Sequence, residues 1–402
     1  MIEPSEHRPT QVIIDLEAIR HNLKTVLAMK SPSQRLYATV KANAYGHGDI
    51  AIAQIALETG VDGLMVATVD EGISLRKQGL VDMPILVLGL TDPRGIAEIL
   101  LYQLTITVSS ADFFEQAYQQ LEKHQLLHLL KQYPLNFHLA IDTGMGRIGL
   151  RTQAEIEAFV EAMDNYTWAH WEGVFTHFST AGGGPEDYVD FQWQQWLHLL
   201  EVVPEDIEFK HYANSAMGIW YPNQPESDII RLGIAMYGMD PKDQIPLDQV
   251  DPSQLQDANL LTIADSPFKP ALQLVSELVY VKQVPANSKI SYGAKYTTTQ
   301  DEWIGTVPIG YADGWLRHYQ VIDVLVQSQA CPVAGVINMD QMMIRLPQQF
   351  PVGTTVTLIG RDGHLNNHPS LLAQKLNTIS YEIFCSLGQR LPRVYLNETP
   401  NK

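Results

Sequence analysis

Residues 36–68 read LYATVKANAYGHGDIAIAQIALETGVDGLMVAT. A short apolar run, LYATV, leads into a polar loop that carries Lys41 and ends in Gly-His-Gly. DIAIAQIALETG follows with helical character, and LMVAT is a second apolar run. Strand, loop, helix and strand in that order form a βαβ unit, and such units build a parallel sheet. Apolar runs of the same kind recur as ILVLG (85–89), LTITV (104–108), FHLAI (137–141), GVFTH (173–177), FKHYA (209–213) and IIRLG (229–233). TVDEGISLRKQG, ADFFEQAYQQLEKH and YVDFQWQQWLHLLEVV lie between them with apolar residues at helical spacing. Eight strands in roughly 200 residues predict a (β/α)8 TIM barrel. The competitor, an open doubly wound sheet, usually carries a GxGxxG loop after its first strand, and none stands there.

Beyond Tyr237-Gly238 the pattern changes. Residues 240–270 contain Pro241, Pro246, Pro252, Pro267 and Pro270 among polar residues, as a long connection would. From 271 onward ALQLVSELVYVKQV, ISYGAKYT, WIGTVPIGYA, VIDVLVQS, CPVAGVI, MMIRL and TTVTLIG read as strands, with one late helix, PSLLAQKLN. The α/β barrel is therefore expected to precede a mainly β C-terminal domain. The early apolar stretch TQVIIDL could pair with either.

Bulk properties narrow the partners. The chain has 402 residues, 45% hydrophobic and 18% charged, enough for two cores. Its net charge of −18 argues against nucleic acid or an anionic membrane as partner. Cys331 and Cys385 form no CxxC or zinc spacing, and the expected reading is two reduced core thiols in a cytoplasmic protein without a metal. No run approaches the ~18 apolar residues of a membrane span, and no secretory leader is apparent.

In barrel enzymes the C-terminal strand ends carry the chemistry. Lys41 and Tyr45 follow the first strand here, Asp142 to Arg147 the fifth, and His177 the sixth. Asn214 and Ser215 follow the seventh, and Arg231, Gly233 and Ile234 the eighth. Taken singly, each has an ordinary reading: a solvated lysine, a core histidine, an Asn-Ser helix cap. Together they suit an anionic cofactor with a reactive carbonyl. Small residues and backbone N–H groups bind phosphate, and a lysine amine forms a Schiff base with an aldehyde. Pyridoxal phosphate needs both, plus a partner for its ring nitrogen. An aldolase-type lysine acting on a sugar phosphate would use many of the same parts.

VKANAYGHG resembles the pyridoxal-lysine signature of the alanine racemases, and HLAIDTGMGRIG, YANSA, RLGIAMYG, SYGAKYT, IGYADGW and NMDQ resemble further blocks of that family in the same order. The likeness runs from about residue 11 to 395. It implies a barrel over 12–240 and a β domain over 241–402, with residues 1–11 joining the latter. It also implies a homodimer in which the β domain contributes to the partner's active site. On this resemblance Lys41 would hold pyridoxal 5'-phosphate and serve as one base, and Tyr292 from the partner chain would be the other. Tyr45, Ser215 with its neighbour Asn214, Gly233, Ile234 and Tyr381 would bind the cofactor, mainly at its phosphate. Arg231 would face the ring nitrogen, and His177 would lie beside the ring. Arg147, the Met339 backbone and Tyr311 would meet substrate or guard its entrance. The implied activity is racemisation of alanine, supplying D-alanine for peptidoglycan in a bacterium.

The chemistry agrees with those roles. Racemisation needs a proton removed from one face of Cα and delivered to the other. Lysine and tyrosine, with reference pKa values of about 10.4 and about 10, are closely matched for it. Two positions depart from the family pattern. Ala140 stands where many members carry a carbamylated lysine beside the arginine, and Asn338 stands where cysteine is frequent. Three alternatives share many parts: a basic amino-acid decarboxylase, a cofactor-buffering protein, and a broader racemase that accepts serine. Arg231 argues against the first, and the ~130-residue β domain against the second.

Overall fold

The computed structural model describes residues 3–221, 227–244 and 266–398. Pro246 and Pro252 of the expected connection lie outside the described residues. The chain divides into two compact units. One comprises Arg20–Ala44 and Asp49–Met236; the other comprises the chain up to Ile19, Tyr45–Gly48 and Tyr237 onward. Among the described residues no helix is long and apolar enough to cross a membrane.

Strand β1 (Gln11–Asp15) precedes the barrel. The barrel strands are β2 (Arg35–Thr39), β3 (Gly63–Val66), β4 (Ile85–Leu90), β5 (Thr105–Val108), β6 (Leu135–Ala140), β7 (Ala169–Phe175), β8 (Phe209–His211), β9 (Ala213–Asn214) and β10 (Ile229–Leu232). Neighbours follow sequence order from β2 to β8, β9 lies beside β10, and β10 returns beside β2. All of these pairs are parallel. β8 and β9 are one stave interrupted at Tyr212, so nine strands make the eight expected staves of a nearly closed barrel. Pairing of the first strand with the last excludes the open sheet.

The apolar runs form strands because both faces are covered: every residue of β3 and β10 is buried. Each fully buried Leu, Ile or Met contributes ~1.5–3 kcal/mol. Tyr37, Met65, Leu86, Phe209 and Ile229 pack into one core cluster. The three clearest helical stretches form Val69–Lys77, Asp112–Lys123 and Glu186–Leu200. Phe114, Ala117 and Leu121 give the second of these its buried stripe.

In the other unit β1 pairs antiparallel with β11 (Leu272–Glu277) and parallel with β21 (Arg393–Leu396). The partner of the early apolar stretch is therefore the β unit. The remaining strands are β12 (Tyr280–Val284), β13 (Lys289–Ile290), β14 (Tyr296–Thr297), β15 (Glu302–Val307), β16 (Val324–Val326), β17 (Gln329–Cys331), β18 (Met342–Leu346), β19 (Thr355–Asp362) and β20 (Leu365–Asn367). They form one large sheet around β19, β11 and β1, a three-stranded sheet β12-β15-β18, and the hairpin β13-β14. ISYGAKYT is not one strand, because Ser291, Gly293 and Ala294 have positive φ and turn the chain at Tyr292–Ala294. CPVAGVI is not a strand either. β17 ends at Cys331, before Pro332 removes a donor, and Val333 keeps a single bridge to Ile344. Cys331 is a core thiol as expected, but Cys385 is not: it lies on the exposed face of the helix Ser380–Ser386.

Candidate active site

Lys41 follows β2, as the sequence predicts, and enters an uncommon turn. Ala42, Asn43, Ala44 and Tyr45 all have φ between 50° and 55°, a left-handed conformation. Left-handed backbone costs a non-glycine residue ~1–2 kcal/mol, so local bonds must hold it. Glu71 does so from the helix Val69–Lys77: Oε1 accepts from Ala42 N–H at 2.7 Å, and Oε2 accepts from Ala67 and Thr68 at 2.7 and 3.2 Å. Asn43 Oδ1 accepts from Asp49 N–H at 3.0 Å. The lysine is thereby presented from a fixed loop at the strand end.

Arg147 is carried by the loop between β6 and the helix Gln153–Met163. Asp142 shapes that loop, with Oδ1 accepting from Gly144 and Gly146 at 3.0 and 2.9 Å. Leu150 N–H donates to Ala140 at 3.0 Å and closes it. Gly149 is required there, because φ is 117° and a Cβ would stand 2.6 Å from Asp142 N. Arg147 itself is exposed, and among the described residues its guanidinium has no hydrogen-bond or ion-pair partner.

Arg231 lies within β10 rather than after it and is buried in the barrel. Its guanidinium donates to the carbonyls of Thr176, Tyr212 and His211 at 2.8, 3.2 and 3.3 Å. It also meets Nδ1 of His211 at 3.0 Å and Nδ1 of His177 at 3.3 Å. His177 follows β7, and its pKa is driven well below the usual imidazole value by burial, then by Arg231, Arg147 and Lys41. Burial and Arg147 likewise push Arg231 down.

Asn214 has the cap role: Oδ1 accepts from Met217 N–H at 3.0 Å, and the amide donates to Phe178 O at 3.1 Å. Ser215 Oγ accepts from Gly233 N–H at 2.8 Å, which ties together the two segments expected to hold phosphate. Ile234 begins the buried turn Ile234–Tyr237.

Two further polar residues hold the mouth loops, and the sequence did not single them out. Gln192, fully buried, accepts from Ser179 N–H and Oγ and donates to Thr143 Oγ1 and His177 O. Tyr188 donates to Gly144 O at 2.8 Å. Their only signal was polarity at positions of an otherwise apolar helical stripe.

In the β unit Tyr45 and Tyr381 place their ring centroids 5.5 Å apart. Burial raises the pKa of both, so both hydroxyls stay protonated and can donate. Tyr311 N–H donates to Asn338 O and Ala312 N–H to Met339 O, each at 3.0 Å, which locks those two loops together. Tyr292 is 75% exposed, at the turn between β13 and β14. Met339 and Tyr311 are also exposed.

The donor set fits the expected cofactor. The charged groups that act on His177 are three cations, with no carboxylate among them. A group of three cations suits an anionic ligand, and a phosphate with a phenolic oxygen is one.

Comparison with known proteins shows the family. The alanine racemase N-terminal domain family matches residues 14–241, and the C-terminal domain family matches 271–395. The alanine racemase of Ligilactobacillus salivarius is 43% identical over 394 residues, covering 97% of this chain and 98% of its own. The crystal structure of alanine racemase from E. faecalis superimposes with a TM-score of 0.88 at 41% identity, covering 98% of this chain and all of that one. The Bacillus anthracis alanine racemase with bound L-Ala-P gives 0.86 at 35% identity, covering 97% and 95%.

Proposed function

Because the chain belongs to the alanine racemase family, we propose that it interconverts L- and D-alanine with pyridoxal 5'-phosphate as cofactor. It is an amino-acid racemase. We assign the working form to a homodimer in the cytoplasm, supplying D-alanine for peptidoglycan. The observation that carries the reading is Arg231 Nη2 3.3 Å from Nδ1 of His177 inside the barrel, with Arg147 and Lys41 also holding that ring's pKa down.

When bound, the cofactor supplies an aldehyde for the amino group and a ring that acidifies the Cα–H bond. The protein does the rest. Tyr45, Ser215, Gly233, Ile234 and Tyr381, with Asn214 shaping the segment, would hold the phosphate. Lys41 anchors the cofactor, and its Nζ then holds or releases the Cα proton on one face. Tyr292 Oη of the partner subunit does the same on the opposite face; its exposure in a single chain is what a residue supplied across a dimer should show. Arg147 and the Met339 backbone orient the substrate carboxylate, and Tyr311 narrows the entrance. Arg231 would face the ring nitrogen and, because a guanidinium only donates, would disfavour a proton there. That weakens the ring's electron withdrawal and disfavours transamination. His177, neutral by burial and by its cationic neighbours, links Arg231 towards the second base.

The test is circular dichroism of L-alanine over time with purified protein and cofactor. Decay to zero at constant total alanine is expected. A persistent signal from yellow, cofactor-loaded protein overturns the alanine assignment.

A further inference from the structure

We propose that Glu172 is a positioning residue for Arg231, acting through a one-directional chain of hydrogen bonds across the barrel interior. The catalytic consequence rests on Arg231 as the ring-nitrogen donor; the direction of the chain rests on geometry alone.

Arg231 Nη1 lies 3.0 Å from His211 Nδ1. His211 Nε2 lies 2.8 Å from His138 Nδ1, and His138 Nε2 lies 3.0 Å from Glu172 Oε2. His211 and His138 are buried at 0% and 1% exposure, while the Glu172 side chain is 22% exposed. The chain therefore runs from the buried guanidinium to a carboxylate in reach of water. Thr105 Oγ1, at 3.5 Å, also faces Glu172 Oε2.

Each contact can be assigned a direction. Arginine has only donors, so His211 Nδ1 must accept and its proton is on Nε2. That proton is donated to His138 Nδ1, which leaves the His138 proton on Nε2. An ionised carboxylate only accepts, so Glu172 receives it. Both rings are neutral Nε2–H tautomers, and no other protonation satisfies all three contacts. His138 also cannot tilt away freely. Its ring fills the space beside Gly173, where a Cβ would come within 2.8 Å of the ring atoms. An acceptor at Glu172 thus matches the donor at Arg231 through two rings held in place. A donor in its stead would move the proton of both rings to Nδ1 and set an N–H against the guanidinium.

The full-length protein labelled with 15N-histidine reports tautomers directly by NMR, with resonances assigned from His138→Asn and His211→Asn. Wild type and Glu172→Gln, whose amide oxygen still accepts, are expected to show both rings as Nε2–H. Glu172→Lys is expected to move both protons to Nδ1 and to lower kcat at least about tenfold, with KM within about threefold. Glu172→Met, which removes the acceptor without adding a donor, keeps the test alive if the lysine variant fails to fold; a loss of kcat between the other two is expected. An Nδ1–H or doubly protonated ring in wild type overturns the proposal. So does a Glu172→Lys or Glu172→Met enzyme as active as Glu172→Gln. Correct tautomers in a protein that racemises no amino acid would support the chain and overturn the activity assigned above.

Discussion

Nη2 of Arg231 lies 3.3 Å from Nδ1 of His177, so a group that can only donate faces a ring that must accept. Arg231 is buried and His177 half-buried, and among the described residues the charged groups that shift either of them are cations. Replacing Arg231 by glutamate reverses the sign at the ring nitrogen and lets it hold a proton. Racemisation is expected to fall by roughly 100-fold, the usual loss for one preorganised donor. Transamination, measured as pyruvate formed from alanine, should rise relative to racemisation. An unchanged ratio would count against the role given to Arg231.

Gln192 joins three pieces of the mouth. Oε1 accepts from Ser179 N–H and Oγ at 2.8 and 2.9 Å, and Nε2 donates to Thr143 Oγ1 and His177 O at 3.2 and 3.0 Å. Gln192→Leu preserves much of the volume and leaves those groups without their partner. A stability loss of about 2–3 kcal/mol is expected in urea unfolding. KM for alanine should rise, since the loop of Thr143 also carries Arg147. A variant with wild-type stability would show that the loops are held by other contacts.

How much of this was legible in the sequence depends on the kind of contact. The eight staves were, because strands covered on both faces give uninterrupted apolar runs, as GLMV in β3 and IIRL in β10 do. The partner of β1 was not. Its alternating burial, with Val12 and Ile14 inside, marks a strand but names no neighbour. Lys41, His177 and Arg231 could be singled out because block likeness and strand-end position agreed. Glu71, Gln192 and the Glu172–His138–His211 chain were missed for one physical reason. Each joins residues distant in sequence, and a polar side chain inside a strand or helix looks the same whether it meets water or a buried partner.

Ala140 is 1% exposed and carries no amine, so no carbamate can form at that position. The guanidinium is also exposed rather than clamped by the protein. Activity is therefore expected to be the same in bicarbonate-free buffer and with bicarbonate added, compared at matched ionic strength. A dependence on bicarbonate would require a carbamylated lysine elsewhere near the site.

Tyr292 as a base on the second face makes a prediction that cofactor loading alone does not. Tyr292→Phe removes one hydroxyl from a side chain that is 75% exposed in the single chain, so folding should be little affected. Removing an acid–base group typically costs ~10²–10⁴-fold, and kcat should fall within that range. The visible absorption of the bound cofactor should remain. Normal turnover by the phenylalanine variant would transfer the second-base role to another residue.

Stability should fall on the acid side of neutrality because of histidines buried in neutral form. Burial, with Arg361 adding to it, holds His368 down to about 4 in the folded chain, against about 6.5 when unfolded. His211 and His177 are lowered in the same direction, burial first. Below about 6.5 the unfolded chain therefore binds more protons than the folded one. The stability these rings contribute is complete above that pH and is lost as pH falls towards the folded values. His368 also accepts from Ser370 N–H at 3.3 Å, capping the helix Pro369–Lys375. Asparagine can keep that cap without titrating. Melting temperatures of wild type and His368→Asn at pH 7 and pH 4.5 give the comparison. Wild type should drop further between the two; equal drops would mean that His368 does not carry its share of the acid sensitivity.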